Sequence, residues 1–506
     1  MKTGAAQVGE PAARRATGPL EPAVGESALR GILIFAALKI LFHLVTNDGY
    51  GFHRDELATI DDARHLAWGY VAYPPLTAFL GHISMLVGPA VPRVLRFLPS
   101  VAQGLVIVLT ALMARRLGGD RRAQWIAALA AAIAPVSLAA SSLYQYVTFD
   151  FLWWVLIAWG VASLLATEDE RWWVVIGGAI GLAVLTKYTI AFLLAGLAAG
   201  LLLTGPMRHL RSRWLWIGAA IAVVLALPHF IWEARHGFIT LEFLQSIHAR
   251  DVRIGRTDHF LIEQLLEPAH PLTIPLWIAG LVALFASRRF RLLGWAVTVT
   301  FVLFVVARGR GYYTAPLYPM LLAAGATAVP SRARGVVVAL LPLGFATATF
   351  CLPLAPIGSP LFKAAVQRNG DFVEEIGWPE LVQEVARIWS TLPPEERVRA
   401  GIFCGNYGEA GAIDLYGPAH GLPPAISSTN SYWLRGPGDP PPETVVVLGA
   451  HRERLEEVCT SVTLAGHTPN PYDLENEETR DHPDIFICRG LKTTWGELWP
   501  RIRNFG

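Results

Sequence analysis

Long apolar runs separated by short polar segments fill the first 356 residues of the chain. A membrane-spanning helix needs about 20 mostly apolar residues, and eleven runs come close to that length. They cover residues 28–47, 94–114, 121–140, 149–166, 172–186, 188–205, 214–233, 272–287, 291–307, 314–330 and 334–356. The pattern therefore predicts an α-helical polytopic membrane protein with about eleven transmembrane helices, over residues 28–358.

Arginine-rich loops between these runs indicate the orientation. Four of them fall on the same side as the N-terminus when the runs are counted as helices. They are ARRLGGDRR at 114–122, PMRHLRSR at 206–213, SRRFR at 287–291 and SRAR at 331–334. Because such loops stay in the cytoplasm, we expect a cytoplasmic N-terminus and two larger outer loops, 48–93 and 234–271.

Both ends of the chain differ from the apolar part. Residues 1–27 are rich in Ala, Gly and Pro and lack the apolar stretch of a signal peptide, so they predict a disordered cytoplasmic tail. In residues 359–506, a helical pattern at 378–392 alternates with strand-like runs at 399–405, 444–450 and 484–490. This alternation predicts an α/β domain, and the helix count places it outside the cytoplasm.

Composition supports the membrane assignment. The chain is 53% hydrophobic and 16% charged, whereas a soluble protein carries about 25% charged residues. A net charge of +2 gives no indication of nucleic-acid binding. Four cysteines without metal-ligand spacing argue against a zinc ribbon. In an oxidising compartment Cys459 can pair with Cys488, and Cys404 is a competing partner.

A cluster of charges follows the first apolar run. His53, Arg54, Asp55, Glu56, Asp61, Asp62, Arg64 and His65 lie within 13 positions. Leu57, Ile60, Ala63, Leu66 and Ala67 keep a helical period, which indicates an amphipathic helix. Such a helix can lie on the membrane with its charges toward lipid headgroups. Alternatively, one member of the adjacent pair Asp55 and Glu56 faces a cavity, since neighbours on a helix point in different directions.

Other polar positions have two interpretations each. Asp150 interrupts an apolar run and either faces a cavity or caps a helix together with Thr148. Lys187, between two apolar stretches, either snorkels toward water or binds phosphate, whereas we favour snorkelling or a structural partner for Lys39. Arg308 and Arg310 contact either headgroups or a phosphate.

Aromatic and turn residues add further candidates. Tyr312 and Tyr313 are interface anchors or help to bind the phosphate. In CGNYGEAGAIDLYG at 404–417, a turn follows a strand, so Asn406, Tyr407 and Glu409 are candidates for sugar contacts. The same residues also suit a structural turn.

Metal and nucleotide sites are not indicated by the sequence. Lone histidines such as His53 and His65 hydrogen-bond to neighbours more often than they bind a metal. The chain contains no Asp-x-Asp, P-loop or GxGxxG motif, so a nucleotide sugar is not expected as a donor.

Five segments in order carry a resemblance to a known family. They are GYGFHRDE at 49–56, ARHLAWGY with PPL at 63–76, VTFDFLWW at 147–154, LTKYT at 185–189 and GYYTAPLYP at 311–319. The set resembles the polyprenol-dependent glycosyltransferases of GT-C type, which include protein O-mannosyltransferases and lipid A aminoarabinose transferases. One position departs, because aminoarabinose transferases tend to carry Lys where this chain has Tyr73 before its two prolines.

The resemblance implies an enzyme of the bacterial plasma membrane. A monosaccharide would move from a polyprenyl phosphate to a hydroxyl of a glycan, lipid or protein at the outer face, by an inverting displacement that needs no cofactor. Asp55, with Asp150 and Glu56, would be catalytic, and Lys187 and Arg310, with Arg308, Tyr312 and Tyr313, would bind the donor phosphate. The alternatives are a non-catalytic lipid- or glycan-binding protein, a transporter, or a relative whose membrane part is inactive.

Overall fold

The computed structural model describes residues 26–205, 207–330 and 332–506. Most of the predicted tail over 1–27 therefore lies outside the described residues. Helices make up the described chain as far as residue 351, and their order is α1 Glu26–Thr46, α2 Arg54–Arg64, α3 Leu76–Val87, α4 Pro92–Leu95, α5 Phe97–Arg116, α6 Arg121–Ala132, α7 Pro135–Ser141, α8 Tyr146–Thr167, α9 Trp172–Val184, α10 Ile190–Thr204, α11 Arg213–Arg235, α12 Ile239–Arg253, α13 Phe260–Leu266, α14 Ile274–Ala286, α15 Arg291–Val306, α16 Tyr318–Ala328 and α17 Arg334–Cys351.

Every one of the eleven apolar segments coincides with a helix, but the helices differ in length. Within the described residues, four spans are long and apolar enough to cross a membrane: α1, α4 joined to α5, α8 and α11. Two bent pairs, α6 with α7 and α13 with α14, bring the number to six if each pair is one span. The apolar helices α3, α9, α10, α15 and α17 are shorter. The count of eleven spans stays a prediction.

Helices pack closely where small residues face each other. Gly177 of α9 lies against Gly218 of α11, and a Cβ atom on Gly177 would stand 2.1 Å from the Gly218 carbonyl oxygen. Lipid tails are as apolar as leucine, so helices in a membrane associate through close packing and not through the hydrophobic effect. This contact fixes α9, which ends just before the turn that carries Lys187.

The two predicted outer loops contain helices of their own. Residues 48–93 form α2 and α3, and residues 234–271 form α12 and α13. Helix α3 was not predicted from the sequence. The predicted amphipathic helix also extended too far, since α2 ends at Arg64 and Leu66 is 47% exposed.

A five-stranded mixed sheet forms the centre of the C-terminal domain, which we define as residues 359–506. Strand order is β2-β1-β3-β5-β4; β1 is parallel to β2 and β3, and β5 is antiparallel to β3 and β4. The elements are α18 Pro360–Arg368, α19 Trp378–Thr391, α20 Pro394–Arg397, β1 Ala400–Cys404, α21 Tyr407–Tyr416, β2 Ala425–Ser427, β3 Thr444–Leu448, α22 Arg452–Val458, β4 Cys459–His467, α23 Glu477–Arg480, β5 Asp484–Leu491 and α24 Trp495–Leu498.

The sheet is covered on both faces, which explains why β3 is buried along its whole length. Val446 packs with α19 and α21 on one face, and Val447 packs toward α22 on the other. A disulfide joins Cys459 at the start of β4 to Cys488 of β5, whereas Cys404 is a buried free thiol. The predicted α/β domain is confirmed, and the disulfide pairing that the sequence left open is Cys459–Cys488 in the structure.

Helix α2 connects the C-terminal domain to the membrane part. Leu57 and Ile60 of α2 belong to the same buried core as Ile413 of α21. The charged residues of α2 are also engaged, since Arg54 pairs with Glu477 and Asp61 with Arg435 of the C-terminal domain. The interpretation of α2 as a helix that faces lipid headgroups is therefore wrong, because protein covers it on both sides.

The predicted topology has a direct test in intact spheroplasts. We expect added protease to cleave the C-terminal domain and to leave the Arg-rich loop at 206–213 intact until the membrane is permeabilised. The physical reason is that Arg-rich loops remain on the cytoplasmic side. Protection of the C-terminal domain would reverse the orientation and contradict the count of spans.

Candidate active site

A cavity of about 650 Å³ lies between the membrane part and the C-terminal domain. Its walls come from the first turn of α2, the start of α8, the turn between α9 and α10, helix α12, the segment 310–313, and residues of the C-terminal domain. Six of the catalytic and binding residues predicted from the sequence line it, and these are Asp55, Lys187, Arg310, Tyr312, Tyr313 and Tyr407. The structure therefore brings together residues that are up to 352 positions apart in the chain.

Asp55 lies in the first turn of α2, where His53 caps the helix by accepting a hydrogen bond from the Asp55 backbone N–H. Its Oδ1 accepts a hydrogen bond of 2.7 Å from the phenol of Tyr407, and its Oδ2 accepts one from the amide of Gln145. The side chain remains 32% exposed. It is therefore a carboxylate held from two sides and open to the cavity.

The surroundings of Asp55 favour its charged form. Burial alone would raise the pKa of this carboxyl, but His53, the hydrogen bond from Tyr407 and the Arg54 guanidinium together lower the pKa below its usual value. An ionised carboxylate at neutral pH can accept a proton from a substrate hydroxyl.

Glu56 points away from the cavity and is fully buried. It accepts hydrogen bonds from Arg96 Nε at 2.8 Å and from the backbone N–H groups of His53 and Tyr144. Arg96 is thus the cation that holds this carboxylate. Glu56 therefore fixes the position of α2 on the membrane part, and the structure does not bring it to a substrate.

Asp150 is also buried, in α8, and does not line the cavity. Its oxygens accept hydrogen bonds from Trp154 Nε1 at 3.0 Å and Thr189 Oγ1 at 3.1 Å. The interpretation as a helix cap is wrong, since α8 begins at Tyr146 with Gln145 at its N-cap. Asp150 braces the turn that contains Lys187, two residues before Thr189.

Lys187 extends from this turn into a cage of three tyrosine rings. Its ammonium nitrogen lies 3.9 Å from the ring centre of Tyr313, 5.3 Å from that of Tyr312 and 5.4 Å from that of Tyr146. A cation within about 6 Å of an aromatic ring is attracted to the face of that ring. The snorkelling interpretation is therefore wrong for Lys187, because its charge faces a protein cavity. Lys39 has a structural partner, since its ammonium donates to Ser137 Oγ at 2.9 Å.

The two arginines Arg308 and Arg310 have different environments. Arg310 lines the cavity and donates from Nε to Asp251 Oδ2 at 2.6 Å, which fixes one edge of the guanidinium. Arg308 is half-exposed and pairs with Asp258 at 2.8 Å, outside the cavity. The structure thus keeps Arg310 among the candidates for phosphate binding and does not bring Arg308 to them.

Three candidates for sugar contacts lie in and after the turn that follows β1, and one of them lines the cavity. Tyr407, the first residue of α21, lines the cavity. Asn406 and Glu409 instead form a capping box at the start of α21, and Glu409 is buried. For these two residues the structure supports the turn interpretation.

Tyr73, the position that departs from the aminoarabinose transferases, lines the same cavity. Its phenol donates a hydrogen bond of 2.7 Å to Asp62 Oδ2. Burial and the neighbouring Asp61 carboxylate raise the pKa of Asp62 to about 7. A lysine at this position would add a second positive charge beside Asp62, which already pairs with Arg435 at 3.2 Å, so the local charge differs from that expected for those enzymes.

Several cavity residues were not singled out from the sequence. Gln145 and Tyr146 directly precede the VTFD segment, and that adjacency could have indicated them. Arg250 and Arg256, from α12 and the turn after it, add positive charge to the same cavity. They could not be found from sequence alone, because nothing in the segment 234–271 marks the side that faces the cavity.

The two histidines that flank α2 have partners within the protein. His53 caps the start of α2, and His65 at its end lies 3.2 Å from Asp61. Across the part of the chain that the structure describes, no three His, Cys, Asp or Glu side chains are arranged to hold a metal ion.

Comparison with known proteins gives matches to the chain at three levels. A family model described as dolichyl-phosphate-mannose-protein mannosyltransferase matches residues 72–232. The lipid A galacturonosyltransferase RgtD of Rhizobium johnstonii is 29% identical over 199 residues, which are 37% of this chain and 41% of that protein. The match therefore spans about two fifths of the relative's length.

The solved structures extend the likeness to nearly the whole chain. ArnT from Cupriavidus metallidurans bound to undecaprenyl phosphate aligns with a TM-score of 0.59 over 91% of this chain and 98% of that one, at 15% identity. The apo state of the same protein aligns equally well, at 14% identity. The resemblance to the GT-C glycosyltransferases is confirmed.

This GT-C fold includes both the helical membrane part and the C-terminal domain, and the chain is a multi-pass membrane protein. The matched family segment contains Tyr73, Asp150 and Lys187. Asp55, Arg310 and Tyr407 lie outside that segment, so the argument that they belong to the site rests on their positions in the cavity.

Proposed function

We propose that the chain is a bacterial membrane glycosyltransferase that moves a monosaccharide from a polyprenyl phosphate to a hydroxyl group at the outer face of the plasma membrane. One observation carries the proposal: an ionised carboxylate, Asp55, shares a cavity with the cations Lys187 and Arg310. This combination suits a reaction that removes a proton at one point and releases an anion at another. The acceptor is a glycan, a lipid or a protein.

The proposed step is a single displacement with inversion at the anomeric carbon. Asp55 accepts the proton of the acceptor hydroxyl as its oxygen attacks that carbon. The bond between the anomeric carbon and the phosphate oxygen breaks, and polyprenyl phosphate leaves with the electron pair. Asp55 then returns its proton to water. A positioned general base typically contributes 10²–10⁴-fold to such a rate, and the displacement requires no cofactor.

Positive charge in the same cavity suits the departing phosphate. Fixed cations aimed at developing negative charge stabilise a transition state without further rearrangement. The tyrosine cage holds Lys187, and Asp251 holds one edge of Arg310, so both cations are oriented before substrate arrives. ArnT from Cupriavidus metallidurans binds undecaprenyl phosphate in its crystal structure, and we extend that ligand class to this chain by analogy of fold.

The donor has a direct test in the lipids that co-purify with the full-length protein. Mass spectrometry should detect a polyprenyl phosphate that carries a monosaccharide, and its mass should identify the class of sugar. Incubation of the purified protein with that lipid and a membrane extract should then release polyprenyl phosphate. A donor that binds without any release of polyprenyl phosphate would instead support the lipid-binding alternative.

Arg310→Lys and Lys187→Met should both weaken donor binding. Lysine keeps the charge of Arg310 but loses the planar fork that binds phosphate through two hydrogen bonds. One hydrogen bond to a charged group contributes about 1.5–3 kcal/mol, so we expect the dissociation constant to rise about tenfold or more for each variant. Titration of the purified proteins with the identified donor measures this change.

A matched control is Arg289→Lys, which changes a half-exposed guanidinium paired with Glu168 away from the cavity. It should bind the donor as the wild type does. If all three variants bind the donor with equal affinity, Lys187 and Arg310 do not bind its phosphate.

A further inference from the structure

Helix α21 of the C-terminal domain approaches α2 unusually closely, and two glycines make this possible. A Cβ atom on Gly411 would stand 2.7 Å from the Leu57 carbonyl carbon, and one on Gly408 would stand 2.9 Å from Arg54 Cβ. Real Cβ atoms do not come this close to backbone atoms, so larger side chains would push the two helices apart. The contact lies directly beside Asp55 in the first turn of α2.

The close approach delivers one side chain of the C-terminal domain to Asp55. Tyr407 immediately precedes Gly408, and its phenol donates the 2.7 Å hydrogen bond to Asp55 Oδ1. The Arg54 guanidinium lies over the Tyr407 ring, 5.1 Å from its centre, and restricts the tilt of the ring. Burial and the Asp55 charge raise the pKa of Tyr407 well above its usual value, so the phenol keeps its proton.

The two oxygens of Asp55 are therefore held by different parts of the molecule. Gln145, at the start of α8 in the membrane part, donates to Oδ2, and Tyr407 donates to Oδ1. The docking of α21 is reinforced by ion pairs from both ends of α2, between Arg54 and Glu477 and between Asp61 and Arg435. The orientation of the Asp55 carboxylate is therefore fixed only when the membrane part and the C-terminal domain are both in place.

We propose that the C-terminal domain completes the catalytic centre, with Tyr407 as a positioning residue that orients the Asp55 carboxylate. The inference rests on the proposed function, because it concerns the base of that reaction. It assigns the C-terminal domain a part in the chemistry in addition to any role in binding an acceptor. Tyr407 acts through Asp55 and takes no proton itself.

Loss of the Tyr407 phenol should raise the pKa of Asp55. A hydrogen bond to the charged form of a carboxyl favours that form and lowers its pKa. The other groups that face Asp55 are the His53 imidazole, the Arg54 guanidinium, the Gln145 amide and the Tyr146 phenol. All of these remain in Tyr407→Phe, so the change isolates one hydrogen bond.

The test compares Tyr407→Phe with the wild-type full-length protein. We expect kcat to fall about tenfold or more, because the carboxylate is no longer held in one orientation toward the acceptor hydroxyl, while the KM for the donor stays unchanged. Asp55 must be ionised to act as a base, so activity is lost as the pH falls through its pKa. Without the phenol this pKa is higher, and the acidic limb of the pH–rate profile should move to higher pH.

Two further variants separate positioning from general damage. Tyr472→Phe removes an exposed phenol of the same domain that donates to Glu380, and it should leave both kcat and the pH profile unchanged. Gly411→Ala keeps Tyr407 but pushes α21 away from Leu57, so it should reproduce the slower rate and the shifted limb. A normal rate and an unshifted limb in Tyr407→Phe would overturn the inference.

A readout without catalysis distinguishes failure of this inference from failure of the proposed function. The carbonyl-stretch band of protonated Asp55 is the infrared band that disappears in Asp55→Asn, and its titration gives the pKa directly. We expect that pKa to be higher in Tyr407→Phe than in the wild type. A wild type that transfers no sugar but shows this difference would refute only the function, whereas an active wild type without the difference would refute the positioning role.

Discussion

Asp55→Asn is expected to insert into the membrane, to fold and to bind the donor lipid, but to transfer sugar at no more than about a hundredth of the wild-type rate. Asparagine keeps the shape of the side chain and cannot accept the proton of the acceptor hydroxyl. Loss of a general base typically costs 10²–10⁴-fold in rate. The measurement is single-turnover transfer with the donor identified from the co-purified lipid, so that slow product release does not hide the chemical step.

Asp150→Asn provides the comparison for this result. Asp150 is buried against Trp154 and Thr189 and does not reach the cavity. We expect its loss to act through the position of Lys187 and to weaken donor binding more than it slows the chemical step. Near-normal transfer by Asp55→Asn together with no transfer by Asp150→Asn would exchange the two roles. Near-normal transfer by both variants would refute the proposed mechanism.

Glu56→Ala is expected to cause the largest loss of stability among the variants of α2. It removes the carboxylate that holds the fully buried Arg96, and it leaves the backbone N–H groups of His53 and Tyr144 without their acceptor. Removal of one partner from a buried ion pair typically costs about 3–5 kcal/mol, because the remaining charge has no compensation. Thermal unfolding in detergent should show a clearly lower midpoint.

An exposed ion pair gives the control for Glu56→Ala. Asp258→Ala breaks the half-exposed pair with Arg308, and surface pairs contribute only about 0–1 kcal/mol. Its unfolding midpoint should therefore lie close to that of the wild type. A Glu56→Ala protein as stable as Asp258→Ala would show that Arg96 keeps adequate partners, with Glu375 at 3.3 Å as the remaining carboxylate. The adjacent residues Asp55 and Glu56 thus differ in the expected readout, activity for one and stability for the other.

Hydropathy predicted the helices well because burial in lipid requires continuous apolar runs. The edge strand β4 was missed for the opposite reason. Its sequence CTSVTLAGH mixes polar and apolar residues, and its side chains are largely exposed, so no regular alternation marks it as a strand. Helix α3 was missed because the neighbouring charge cluster suggested a continuous outer loop. In each case the element depends on tertiary packing, which the local sequence pattern does not show.

The sequence by itself determined the membrane part, the α/β C-terminal domain and six of the candidate site residues that line the cavity. Apolar length, strand-like runs and the ordered motifs around Asp55, Lys187 and Arg310 are local properties, and local properties can be read along the chain. The resemblance to the GT-C glycosyltransferases rested on the same motifs.

Only the tertiary structure decided which of two adjacent carboxylates meets the cavity. Asp55 and Glu56 are equivalent in the sequence, and the choice follows from Arg96, which is 40 residues away and buries Glu56. The same holds for Tyr407, whose contact with Asp55 spans 352 residues and depends on the close approach of two helices at Gly411. The physical reason is that long-range contacts between polar groups leave no periodic trace in a single sequence, whereas burial in lipid or in a sheet does.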